Sequence, residues 1–194
     1  PFLLGLVGNL DVHDDRFEAL IERFSRHPVY RGIRARLWQP DDLDGVRRLA
    51  DLDLSLDASL SDLTLKIAGE IPDLRIIINH CAGIEMDGDE PDPDAVALVQ
   101  RAAKHPNVFC KLSGMITEAD WDNWKPADLK PWVETAIEAF GPDRCMFGSD
   151  WPVCELAGSY QQVHDALRDV LGPISGDEQG KLFGGTAARF YGLP

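Results

Sequence analysis

No apolar run in this chain approaches the roughly 20 residues that span a bilayer, and no charged-then-apolar leader precedes its first strand-like segment. Both absences predict a soluble, cytoplasmic protein without a membrane partner. Basic residues are scarce, 19 Lys and Arg against 33 Asp and Glu, and the formal net charge of −14 is spread along the chain. A nucleic-acid footprint needs clustered Lys and Arg, so nucleic acid is excluded as a partner and the charge is read as solubility. The four cysteines, Cys81, Cys110, Cys145 and Cys154, show no Cys-x-x-Cys spacing, which removes a zinc knuckle and a thioredoxin-type pair. The first three fall in or beside strand-like apolar runs, where a thiol packs as a small hydrophobe. Four reduced thiols are expected, with Cys154 near enough to the Asp150-Trp-Pro turn to approach a pocket. No Gly-x-Gly-x-x-Gly follows the first strand, and no P-loop occurs, so dinucleotide and nucleotide phosphates find no cradle. Linkers and low-complexity tracts are missing too, and residues 1–194 read as a single domain.

What is there is a rhythm. Strand-length apolar runs alternate with amphipathic helical stretches about six times, as parallel strands joined by crossover helices require. The expected strands run from Leu3 to Asp11, Gly32 to Leu37, Leu54 to Ala58, Arg75 to Asn79, Val108 to Leu112 and Cys145 to Gly148. The consecutive Ile76, Ile77 and Ile78 mark a strand covered on both faces. Helices are expected between these strands, and two or three more close the chain: Tyr160 to Leu171, Asp177 to Phe183 and Thr186 to Tyr191. Six such units fit either an open doubly wound sheet or part of an eight-unit barrel.

The ends of the strands carry the chemistry. Arg144-Cys-Met-Phe-Gly-Ser-Asp150-Trp-Pro152 ends an apolar run in Gly-Ser, delivers a carboxylate, and stops the strand with Trp-Pro. Asp150 therefore stands at a C-terminal strand rim, where loops converge and ligands bind in parallel α/β folds. There it can take a proton from water or hold a cation, or merely cap the turn. The other strands deliver Asp11 and His13, Arg34 or Arg36, Asp57, His80, Lys111 with Ser113, and Trp151 beside Asp150. Such a ring of polar groups is what a small-molecule site needs. Arg34 and Arg36 alternate with apolar neighbours and share one strand face. If that face is a barrel interior, both guanidinium groups need anionic partners, for which Asp57 or a substrate carboxylate serves. A structural histidine, a solvated Lys111 and a plain Ser113-Gly114 turn are the corresponding readings without function.

Three segments, Ile78-Asn-His80-Cys-Ala-Gly83, Asn107-Val-Phe-Cys-Lys-Leu-Ser-Gly114 and Arg144 to Pro152, together with the closing Phe183 to Gly192, resemble the lactonase-like branch of the amidohydrolase superfamily. That branch includes L-fuconolactonase and the pyrone dicarboxylate lactonase. The resemblance implies a TIM-type (β/α)8 barrel. In it Asp150, after the last strand, activates water, and His80, after the sixth strand, polarises the carbonyl or helps bind a metal. Lys111 and Ser113 match a motif after the seventh strand. Two departures stand out. The family's first strand usually bears His-x-His, whereas this chain opens on what looks like the third strand, so the first two β/α units are expected to be missing. Ala35 also stands where many relatives carry His.

The resemblance thus implies a lactone or carbonyl-ester hydrolase acting on a small sugar acid or carboxylate. Asp150 and His80 are its catalytic residues, and Arg34, Arg36, Lys111, Ser113 and Trp151 its substrate contacts. Its cofactor is either none or one divalent metal, zinc by preference, on His80 and Asp150. Two alternatives remain open: a superfamily decarboxylase of an unsaturated or aromatic acid, and a catalytically silent barrel serving as an interaction domain. Open strand edges add a possible homo-oligomer, since unpaired edges in a soluble protein must be covered.

Overall fold

The computed structural model describes residues 3–35, 37 and 42–194. Arg36, one of the two arginines expected at the substrate, lies outside the described residues. Six strands, β1 (Leu6–Asn9), β2 (Tyr30–Arg34), β3 (Ser55–Ala58), β4 (Ile76–Ile78), β5 (Val108–Leu112) and β6 (Cys145–Phe147), form one sheet in chain order, every neighbouring pair parallel. Between and after them come α1 (Phe17–Ser25), α2 (Asp42–Asp51), α3 (Asp62–Glu70), α4 (Pro93–Ala103), α5 (Pro126–Phe140), α6 (Tyr160–Leu171), α7 (Gly176–Gly180) and α8 (Thr186–Tyr191).

Local signals explain most helix starts. Ser61 caps α3 by accepting from the Thr64 N–H, and Asp92 caps α4 ahead of Pro93. Ser159 and Gln162 form a reciprocal capping box on α6. None of the described helices is long and apolar enough to cross a membrane.

The distribution of apolar side chains decides between the two architectures. Leu56, Ile76, Ile78, Cys110, Leu112 and Cys145 join the same core cluster as Ile21, Leu49, Ile67, Val99, Val133 and Leu167 from α1 to α6. The alternate strand residues Ile77 and Met146 belong to a second, smaller cluster, with Phe109 beside them. Successive strand residues point to opposite faces, so α1 to α6 all cover one face, as in a barrel wall. An open doubly wound sheet would carry helices on both faces. Only α8 differs: Phe190, Ala187 and Tyr191 pack with Ile77, Phe109 and Met146 on the inner side. All four cysteines are reduced and buried, and burial raises the Cys81 thiol to about 12, which suits packing and not nucleophilic chemistry.

Candidate active site

Inward alternation sets the polar layer. Asp57 in β3 and Lys111 in β5 flank β4, whose continuation presents Asn79. The register Ile78 with Cys110 carries on to set Asn79 beside Lys111. Lys111 Nζ donates to Asp57 Oδ2 at 2.6 Å and to Asn79 Oδ1 at 2.9 Å. The Tyr191 hydroxyl, reaching in from α8, lies 3.2 Å from both Asp57 oxygens. The Lys111 and Asp57 side chains are 21% and 4% exposed, so the pair is an interior one. This corrects two expectations: Lys111 is not a solvated charge, and Asp57 is not the partner of Arg34. Arg34 is in register with Asp57 on the neighbouring strand, but its guanidinium is directed to His80, while the long stem of Lys111 carries its ammonium across β4 to Asp57.

Above this layer the backbone turns sharply. His80, Cys81, Ala82 and Gly83 have φ of 53°, 46°, 75° and 70°, one left-handed turn, and Asp150 has φ of 58°. Left-handed backbone costs a residue with a side chain roughly 1–2 kcal/mol, and such strain gathers at functional sites. The turn swings the imidazole over the sheet end toward Ser113, Arg34 and Asp150. Ser113 Oγ lies 3.2 Å from His80 Nδ1, Arg34 Nη2 lies 3.3 Å from Nε2, and Asp150 Oδ1 lies 3.8 Å from Nδ1. Gly114, at φ of 67°, is required here, because a Cβ on it would stand 2.8 Å from Nδ1.

Hydrogen-bond roles assign the tautomer. A guanidinium only donates, so Nε2 accepts from Arg34 and the ring proton sits on Nδ1, facing Ser113 and Asp150. Burial pushes the His80 pKa below its ordinary 6.5, against the opposing pull of the Asp150 charge. The imidazole is therefore neutral at neutral pH. Glu118 stands near enough to Asp150 to feel its charge, although burial is the larger cause of its raised pKa.

These groups line one cavity of about 450 Å³, whose wall includes Arg34, Asp57, His80, Lys111, Ser113 and Asp150. Arg31, Asn79 and Tyr191 share the wall, and sequence reasoning assigned none of them to the site. Asn79 could have been found by extending the inward alternation of β4, whereas Arg31 could not: it stands out of phase with Arg34, where the β1–β2 register is irregular. Tyr191 carried no signal, since its place on α8 reads as an ordinary helical face. Among the described residues neither Arg31 nor Arg34 has a carboxylate partner. Trp151, expected at the substrate, is instead 63% exposed, and its indole N–H donates to Glu155 on the following turn. It is no part of the cavity wall. Asp11 accepts from the His13 N–H, and neither lines the cavity. Cys154 is buried outside it.

A catalytic zinc takes three protein ligands and keeps a fourth position for water. His80 and Asp150 are two, and no group of three or more His, Cys, Asp or Glu among the described residues could hold a metal ion. The donor set of the described residues does not fit such a centre.

Comparison with known proteins agrees with the geometry. The L-fucono-1,5-lactonase of Burkholderia ambifaria is 33% identical over 98% of this chain and 71% of its own length. The Burkholderia multivorans enzyme of the same name is 48% identical over 61% of this chain and 43% of its own. Among solved structures, a Burkholderia multivorans amidohydrolase with bound zinc superimposes with a TM-score of 0.83, at 30% identity, over 98% of this chain and 74% of that one. The amidohydrolase family profile matches residues 4–193. A parallel strand wall with helices outside, a strained histidine and a rim aspartate facing one cavity, and a match from end to end place this chain in the amidohydrolase family of hydrolases.

Proposed function

We propose that the cavity hydrolyses the ring ester of a small lactone that carries hydroxyl or carboxylate groups, with Asp150 as the general base. The observation that carries this reading is the facing pair: a carboxylate 3.8 Å from a neutral imidazole N–H, both in the cavity wall. That spacing lets one water oxygen lie within hydrogen-bond reach of both groups.

In the proposed sequence Asp150 takes a proton from this water as its oxygen bonds to the lactone carbonyl carbon. The carbonyl π bond breaks, and the resulting oxyanion is met by the His80 N–H and the nearby cations, donors whose positions precede the reaction. Collapse re-forms the carbonyl and expels the ring oxygen, which recovers the proton from Asp150. The product is the open hydroxy acid. Arg34 and Arg31, which have no carboxylate partner among the described residues, offer their remaining guanidinium N–H groups to a carboxylate or to hydroxyl oxygens, and Lys111 has one N–H left after serving Asp57 and Asn79. Ser113 steadies the imidazole. The lactonases among the relatives support the choice of ester over other carbonyl substrates.

The test is Asp150→Asn assayed with L-fucono-1,5-lactone, the compound in the relatives' names. Loss of a positioned general base lowers kcat/KM by about 10²- to 10⁴-fold. An unchanged kcat/KM would overturn the assignment. Release of carbon dioxide in place of a hydroxy acid would point to the decarboxylase alternative.

A further inference from the structure

One polar group in the cavity wall has no part in the hydrolytic steps. Asn79 is 6% exposed and lines the cavity. Its backbone N–H donates to the Ala58 carbonyl at 3.0 Å. Its Oδ1 accepts from Lys111 at 2.9 Å, whereas its Nδ2 is buried and has no hydrogen-bond partner among the described residues. An ammonium has donors only, so the amide oxygen must face Lys111 and Nδ2 must occupy the other branch. Flipping the amide would turn N–H against N–H and lose the bond to Lys111. Lys111 is itself held by Asp57, and Asp57 by Tyr191, so the orientation is fixed through three side chains.

Nearly every buried donor in a native protein is satisfied by protein, water or ligand, because an unmet one costs more than an ordinary hydrogen bond contributes. Among the described residues none supplies an acceptor to Nδ2. Other groups lining the same cavity, one Lys111 N–H, the Tyr191 hydroxyl and Ser113 Oγ, mix donors and acceptors. Such a mixture suits alcohol groups, each of which donates and accepts.

We infer that Asn79 is the specificity-determining residue of this cavity: its Nδ2 donates to an oxygen of the bound ligand and selects a polyhydroxylated acid, or its lactone, over the counterpart lacking that oxygen. The inference rests on the hydrolytic reading and deepens it by naming the substrate class. Lys111 and Asp57 are positioning residues for the amide.

The experiment is calorimetric titration of the protein with L-fuconate, the acid formed from L-fucono-1,5-lactone, and with monodeoxy counterparts each lacking one hydroxyl. Asn79→Ala and the isosteric Asn79→Asp, which replaces the donor by an acceptor, are titrated alongside. A ratio of dissociation constants does not depend on the fraction of folded protein, so partial misfolding of a variant leaves the readout intact. The wild type binds L-fuconate about 5- to 150-fold more tightly than one of its deoxy counterparts, the ratio expected of one unmet donor. Both variants lose that preference and keep the others. Retention of the wild-type ratio in both variants overturns the inference, as does failure of the wild type to bind or to discriminate. Hydrolysis of the lactone is followed in parallel. A protein that discriminates among the acids but opens no lactone refutes the hydrolytic reading and leaves the Asn79 assignment standing.

Discussion

Replacing Lys111 by methionine tests the polar interior directly. The substitution keeps the length of the stem and deletes the ammonium, so Asp57, 4% exposed, retains among the described residues only the Tyr191 hydroxyl as a side-chain partner. Stranding a buried charge by removing its partner costs about 3–5 kcal/mol. For a chain of this size each kcal/mol lowers the melting temperature by about 2–4 °C, which gives an expected drop of about 6–20 °C. The assay is urea and thermal unfolding at pH 7 of wild type, Lys111→Met, Asp57→Asn and the double variant. Asp57→Asn removes the charge while leaving an acceptor for Tyr191, so Lys111→Met must cost far less in that background. This coupling is the signature of a direct interaction. A cost of less than about 1 kcal/mol for Lys111→Met is what an exposed ion pair shows. Such a value would refute the interior pairing, and with it the argument that fixes the Asn79 amide.

Two further outcomes follow from the histidine turn. Gly114→Ala places a Cβ against the His80 ring at a position of φ 67°. It costs about 1–2 kcal/mol in stability, while displacement of the imidazole lowers kcat/KM toward L-fucono-1,5-lactone by as much as about 10²-fold; a melting shift without loss of activity would count against His80. The pH response has a definite sign. Because burial holds the folded His80 pKa below 6.5, the unfolded chain takes up a proton that the folded chain refuses as pH falls through 6.5, and stability drops. His80→Asn removes that contribution, so urea midpoints compared between pH 7.5 and 5.5 fall more steeply for wild type than for the variant; parallel slopes would contradict the assignment.

Several elements could be read from local pattern because local physics sets them. β5 and α6 occupy the expected Val108–Leu112 and Tyr160–Leu171, one bounded by the end of an apolar run and the other opened by a capping box. The isoleucine run of β4 is buried residue by residue. Asp150 stands at a strand end because glycine, serine and proline leave it nowhere else to be. His80 and Ser113 were legible as strand-end residues, yet nothing in Asn-His-Cys-Ala-Gly indicates a left-handed turn. That conformation is held by contacts with Ser113, Gly114 and Arg34, which come from other strands. Trp151 stands outside the cavity wall, its indole bonded to Glu155 four residues on, a contact local in sequence that an aromatic beside a rim aspartate does not by itself signal.

By itself the sequence determined the order of strands and helices, the alternation that turns Asp57, Asn79 and Lys111 to one face, and the delivery of a carboxylate and an imidazole to the same rim. All of these depend on residue spacing and on backbone preferences within a few positions. Only the tertiary structure decided that α1 to α6 cover a single face, that Lys111 reaches Asp57 across β4, and that Tyr191 enters the cavity from α8. Those pairings join residues dozens of positions apart, and their energies depend on the curl of the sheet and the exclusion of water, which no local pattern encodes.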